Sequence, residues 1–96
     1  MESKIISVVI PVYNQEKYIE RCLRSVLNQN IEKDLYEIVV VNDGSTDNSL
    51  KILKKYSDTI NLINHENNKG LPSALNKGIQ SCKSKYVVRV DSDDYV

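Results

Sequence analysis

Apolar residues recur along the chain in two alternating rhythms. Ile5–Ile6–Ser7–Val8–Val9–Ile10 is a nearly continuous β-branched run that stops at Pro11, and Glu37–Ile38–Val39–Val40–Val41 repeats the type before Asn42–Asp43–Gly44. A weaker run, Ile60–Asn61–Leu62–Ile63, ends at Asn64, and Tyr86–Val87–Val88–Arg89–Val90 ends at Asp91. Short apolar runs bounded by turn residues predict strands buried on both faces of a parallel sheet. Arg89 does not suit such burial and marks its strand as one at the sheet edge. Between the runs the period becomes helical. Ile19, Cys22, Leu23, Val26 and Leu27 form one stripe on a helix predicted from Gln15 to Asn28, with Asn14 as N-cap and Glu16 in the first turn. A second helix is predicted from Ser45 or Thr46 through Leu50, Leu53 and Tyr56. A third follows Gly70, with Pro72 in its first turn and Leu71, Leu75, Gly78, Ile79 and Cys82 on one face.

Strands joined by helical crossovers imply a parallel sheet with right-handed connections. The chain winds outward from the first strand and returns past it for the fourth, which gives the order 3-2-1-4. The expected fold class is α/β: a Rossmann-like three-layer sandwich of flanking helices in one domain, residues 1–96.

That order locates the chemistry. Ligands of open parallel sheets bind beyond the carboxyl ends of the strands, where the winding reverses, here between the first and fourth strands. Pro11–Val12–Tyr13–Asn14 and Asp91–Ser92–Asp93–Asp94 follow those two strands, and Asp43 follows the second next door. Carboxylates therefore converge on one rim of a chain whose 13 Lys and Arg balance 13 Asp and Glu. The balance removes the blanket basic field of a nucleic-acid binder and makes the acidity local. Close carboxylates repel unless a cation or partial protonation relieves them. Aspartate oxygens suit Mg²⁺ or Mn²⁺, and Mg²⁺ fills its octahedron with water and substrate phosphates. Asp91-x-Asp93 at a strand end thus suggests a metal held for a phosphorylated substrate. The same residues also suit a plain polar turn, since Asp and Ser favour turns. With three glycines, no GxGxxG after the first strand and no P-loop, the chain has no glycine-rich phosphate cradle.

The remaining signals bound the picture. Hydrophobic residues make up 41% of the chain, enough for a core. No apolar run approaches the ~20 residues of a membrane-spanning helix, and Met1–Ser7 lacks the basic and apolar segments of a secretory signal. Cys22 and Cys82 form no CxxC pair and are expected as small buried thiols in a reducing compartment. His65 is the one histidine, expected to be solvated or at a strand end, and no His-rich metal site is available. An alternative reading is a receiver-like, non-enzymatic module binding Mg²⁺ at its acidic rim. That module needs an acidic pair after the first strand, where Tyr13 and Asn14 stand with a single Glu16.

Four motifs, in order, carry a more specific likeness. Val8-Val9-Ile10-Pro11-Val12-Tyr13-Asn14-x-Glu16, Val41-Asn42-Asp43-Gly44-Ser45-x-Asp47, Asn68-x-Gly70 with Ala74-x-Asn76-x-Gly78-Ile79, and Asp91-x-Asp93-Asp94 together closely resemble family 2 glycosyltransferases and cover nearly the whole chain. The resemblance implies the GT-A fold and transfer of a sugar from a nucleotide-diphosphate donor, UDP above all, to a saccharide or glycoconjugate acceptor in polysaccharide synthesis. It further implies inversion and assistance by Mg²⁺ or Mn²⁺. By the same resemblance, Pro11, Val12 and Tyr13 line the base pocket, Glu16 sits near the nucleoside, and Asp43 accepts the imino N–H of a uracil-like base. Asn68 and Gly70 close the other side, and Asp91 faces the ribose or the metal's water shell. The adjacent Ser92 joins the nucleotide-sugar contacts, Asp93 ligates the cation with Asp91 beside it, and Asp94 contacts the donor sugar. Leu75 departs from an arginine common there in the family. The general base and the acceptor-binding half are expected beyond Val96. Self-association of the truncated sheet, a cytoplasmic location and peripheral membrane association of the full-length enzyme complete the expectations.

Overall fold

Seven elements alternate strictly along the chain: β1 (Ile6–Val12), α1 (Ile19–Leu27), β2 (Tyr36–Asp43), α2 (Ser49–Lys54), β3 (Asn61–His65), α3 (Leu71–Gln80) and β4 (Tyr86–Arg89). The structure, a computed structural model, describes residues 5–29 and 35–93. The four strands are parallel in the order β3-β2-β1-β4, as the winding argument requires.

Side chains of a strand alternate between faces, so β1 and β2 are apolar on both. Ile10, Val12, Tyr36, Ile38 and Val40 pack against Ile19, Cys22, Leu23 and Val26 of α1 and Leu53 of α2. Val9 and Val41 point to the other face, where α3 crosses them at Gly78. Burying each of these side chains contributes roughly 1.5–3 kcal/mol. The result is the expected three-layer sandwich.

Element ends differ from the sequence expectations for identifiable reasons. β1 does not stop at Pro11 but runs through it to Val12. The Val9 carbonyl accepts the N–H of Val90, so Val9 and, two residues on, Pro11 present their backbone toward β4, which has already ended at Arg89. The N–H that proline lacks is not needed there. α1 begins at Ile19 rather than Gln15, and Asn14 is not its N-cap. Asn14 has a φ of 51°, and its side chain is engaged by the loop after β2. α2 begins at Ser49, not at Ser45 or Thr46, because both of those hydroxyls bond Asn14 instead. Asp47 Oδ1 accepts the Ser49 N–H at 2.9 Å from one residue before the N-cap, Asn48, whose own side chain makes no capping bond. Tyr56 lies past the end of α2 and donates its hydroxyl to Glu20 Oε2 of α1 at 2.7 Å.

Burial on both faces holds for β1 and β2 but not for β3 and β4, which are the sheet edges. The edge position read from Arg89 is therefore the observed one. The predicted face of α3 also needs correction: Leu71 and Ile79 are 46% and 50% exposed, and the helix meets the sheet through Ala74 and Gly78. Small residues one turn apart let the helix backbone approach the sheet more closely than leucines would. Cys22 is buried as expected, Cys82 is half-buried, and neither is in a disulfide. Among the described residues no helix is long and apolar enough to cross a membrane.

A Cβ at Gly78 would lie 2.6 Å from Val9 Cγ1 and 3.3 Å from Val41 Cγ2. Gly78→Leu is therefore expected to lower stability by about 1–3 kcal/mol through overpacking. Urea unfolding followed by circular dichroism should show a lower midpoint with an unchanged m-value.

Candidate functional site

The rim at the carboxyl ends of β1, β2 and β4 is built from loops that hold one another. Asn14 Oδ1 accepts the N–H groups of Thr46 at 2.7 Å and Asp47 at 3.2 Å. In return the Asn14 N–H donates to Ser45 Oγ, the Gln15 N–H to Ser49 Oγ at 2.9 Å, and the Glu16 N–H to Asp47 Oδ2. Burial would raise the Asp47 carboxyl, but the Ser49 hydroxyl and N–H and the Glu16 N–H hold it below its ordinary value. It is thus an ionised acceptor for both loops. Much of the motif after β2 serves this clasp.

The second clasp centres on Asp43. Its side chain is 4% exposed, Oδ1 accepts the Lys69 N–H at 3.0 Å and lies 3.0 Å from His65 Nδ1, and Oδ2 accepts the Gly70 N–H at 2.9 Å. Burial raises this carboxyl, and bonding from His65 and the N–H groups of Lys69 and Gly70 outweighs it, leaving the group below its ordinary value. The next residue, Gly44, has a φ of +71°, and a Cβ there would stand 2.3 Å from the Asn68 nitrogen. The loop into α3 is therefore folded directly onto the end of β2.

The third support comes from α1. Arg21 donates to the Asp93 carbonyl at 3.3 Å and Cys22 Sγ to the Asp91 carbonyl at 3.5 Å, fixing the loop after β4. The Asp91 carboxylate is met by Arg89, whose Nε and Nη2 lie 2.9 and 2.8 Å from Oδ1.

These supports enclose a cleft of about 360 Å³. Pro11, Val12, Tyr13 and Gln15 form one wall, Asn68, Leu71 and Ala74 another, with Asp43 between them and Arg89, Asp91, Ser92 and Asp93 along the β4 side. The fold thus brings together Pro11, Val12, Tyr13, Asp43, Asn68, Asp91, Ser92 and Asp93, all singled out from sequence. Tyr13 presents an exposed ring. Glu16 is outside the lining: its carboxylate faces Asn48 Nδ2 at 3.3 Å. Gly70 also does not line the cleft and acts through its N–H on Asp43. Leu75 is half-buried on α3 and away from the lining. Asp94 lies outside the described residues.

Sequence reasoning missed Gln15, Leu71, the Arg89–Asp91 pair and His65. The last is at a strand end as expected, but its side chain is only 10% exposed rather than solvated. The signal that could have found it is register, since β2 and β3 place Asp43 opposite His65.

The chain that builds this cleft is similar in sequence and fold to known proteins. Residues 7–96 match the family model described as Glycosyl transferase family 2. Over 95 residues the chain is 46% identical to poly(ribitol-phosphate) beta-glucosyltransferase of Bacillus spizizenii, covering 95% of this chain and 15% of that protein. The crystal structure of Staphylococcus aureus TarS residues 1–349 with UDP-GlcNAc superposes with a TM-score of 0.86 at 41% identity, over 95% of this chain and 27% of that one. The mannosyltransferase PcManGT of Pyrobaculum calidifontis, in complex with GDP-Man and Mn²⁺, gives a TM-score of 0.89 at 26% identity over 98% of this chain and 29% of that one. The chain thus spans less than a third of each of these proteins.

Asp43→Asn replaces an acceptor facing three donors with an amide whose NH₂ must oppose one of them. A loss of about 2–3 kcal/mol is expected at pH 7. Because the native pKa lies below the unfolded one, the wild-type contribution is present above about pH 4. It is lost as pH falls through the depressed native value. Urea unfolding of both proteins should accordingly show the gap at pH 7 narrowing toward pH 3.

Proposed function

The chain belongs to glycosyl transferase family 2, and from that premise we propose that its cleft binds the nucleoside diphosphate of a nucleotide-sugar donor, UDP first. The enzyme it serves would transfer the sugar to a surface polysaccharide or glycoconjugate. The observation that carries the reading is the ionised, buried Asp43 carboxylate lining the same cleft as the exposed Tyr13 ring and the Asp93 carboxylate. An acceptor-only group beside a stacking face suits a base that carries an imino N–H. The relative solved with UDP-GlcNAc supports uracil over guanine, being 41% identical where the GDP-Man complex is 26%.

The donor set fits a divalent cation of the hard kind. Among the described residues no group of three or more His, Cys, Asp or Glu is placed to hold a metal alone. Asp93, exposed at the cleft, with Asp91 beside it, offers the one or two carboxylates that Mg²⁺ or Mn²⁺ takes when phosphates complete its shell. Such a cation, when bound, neutralises charge building on the departing diphosphate. The chain's own residues do the rest of the donor's work: Tyr13 stacks, Asp43 orients the base, and the clasped loops fix both, which converts binding into alignment for displacement. Attack by an acceptor hydroxyl on the face opposite the diphosphate would invert the anomeric carbon. The receiver-like alternative lacks support, since the residues after β1 are Tyr13 and Asn14 and the Asn14 side chain is bonded to the loop after β2. The cytoplasm, where nucleotide sugars are made, is the location this reading favours.

Isothermal titration of UDP into the full chain tests the proposal. Affinity is expected to be at least about tenfold tighter with Mn²⁺ than with a chelator, a difference of about 1.4 kcal/mol. Asp93→Asn should remove the metal dependence. Equal UDP affinity in all three samples would overturn it.

A further inference from the structure

His65 is a nearly buried side chain for which the donor chemistry above has no direct use, since it does not line the cleft. It stands opposite Asp43 in the β2–β3 register, so both side chains leave the same face of the sheet. The 3.0 Å contact joins His65 Nδ1 to Asp43 Oδ1. An ionised carboxylate only accepts, so the hydrogen of that bond belongs to Nδ1.

Counting lone pairs on the carboxylate then gives a specific result. Oδ1 has two acceptor directions, and the Lys69 N–H and the His65 ring take both. Oδ2 receives the Gly70 N–H and keeps one. The backbone donors approach from the turn into α3, and His65 approaches from β3, so the carboxylate is held from two sides. Without His65, Oδ1 regains an open lone pair and competes with Oδ2 as acceptor, while the Lys69 and Gly70 N–H groups still hold one oxygen each.

We propose that His65 is a positioning residue for base selection. By occupying Oδ1 it leaves one fixed acceptor on Oδ2, aimed at the nucleobase. Bases with an imino N–H are accepted there, and bases that present a ring-nitrogen lone pair are rejected. The inference rests on the reading of the cleft as a nucleoside-diphosphate site.

UDP and CDP separate the two claims, because they share ribose, diphosphate and any bound cation and differ only in the base edge. Titration of the full chain in Mn²⁺ is expected to favour UDP. His65→Leu should weaken UDP about tenfold and leave CDP within about twofold, so the preference falls about tenfold. His65→Asn, whose amide NH₂ reaches the place of Nδ1, should restore most of it. Since His65 is the sole histidine in the chain, its ring signals in the wild-type NMR spectrum are unambiguous. They should shift on adding UDP and stay in place with CDP, a readout that does not depend on a variant folding. Equal weakening of UDP and CDP in His65→Leu, retained preference in that variant, or ring signals indifferent to UDP would each overturn the role of His65 alone. A wild-type chain that binds UDP and CDP alike would overturn the base reading of Asp43 and this inference with it.

Discussion

A carboxylate placed at the buried end of a strand must find its donors inside the protein, and Asp43 draws them from two different elements. His65 comes from β3, and the N–H groups of Lys69 and Gly70 come from the turn that opens α3. Leaving such a charge unmet would cost several kcal/mol, so the turn is obliged to fold back over the end of β2. Gly44 records the same obligation sterically, because any Cβ there would run into the Asn67–Asn68 backbone. That turn carries Asn68, which forms a wall of the cleft. One interaction therefore ties the ends of β2 and β3 together, seats the turn into α3 and shapes the site.

The opposite wall depends on a different device. Asn14, with its positive φ, hooks the loop after β2, and Asp47 and Ser49 accept from the loop after β1 in return. Residues that look like helix caps in the sequence, Ser45 and Thr46, are occupied in keeping the loops together. Three aspartates share the cleft but not an environment. Asp43 is buried and holds three donors with one acceptor direction left on Oδ2, Asp91 is paired with Arg89, and Asp93 is exposed with its backbone held by Arg21. Environment, not residue type, assigns them different work.

The same contrast explains what was legible in the sequence. β1 and β2 could be read directly because a strand buried on both faces is apolar throughout, and the sheet order followed from winding alone. The ends of the helices could not. Asn14, Ser45 and Thr46 are good capping residues, but here each bonds a partner about thirty positions away, and a local rule cannot see that competition. α3 misled for a related reason: its Leu71 and Ile79 suggested a packing face, while contact was made where side chains were smallest. Asp43 was legible as a rim carboxylate from the winding of the sheet, and its role toward a base only through family resemblance. Its donors were not, because two are backbone N–H groups and the third, His65, becomes a neighbour only when two strands are set in register.

The committed donors also bear on how the cleft can receive an anion. A helix start is ordinarily a ready source of N–H groups for phosphate. Here the turn into α3 gives the N–H groups of Lys69 and Gly70 to Asp43, and Pro72 in the first turn has none to give. The chain has no glycine-rich loop to supply others, and Arg89, the one cationic side chain lining the cleft among the described residues, is paired with Asp91. A diphosphate entering this cleft meets more carboxylate than cation. It is accommodated favourably only if a divalent cation enters with it or Arg89 is drawn away from Asp91. The metal dependence proposed above would then follow from how the fold has already used its donors as much as from the chemistry of the leaving group.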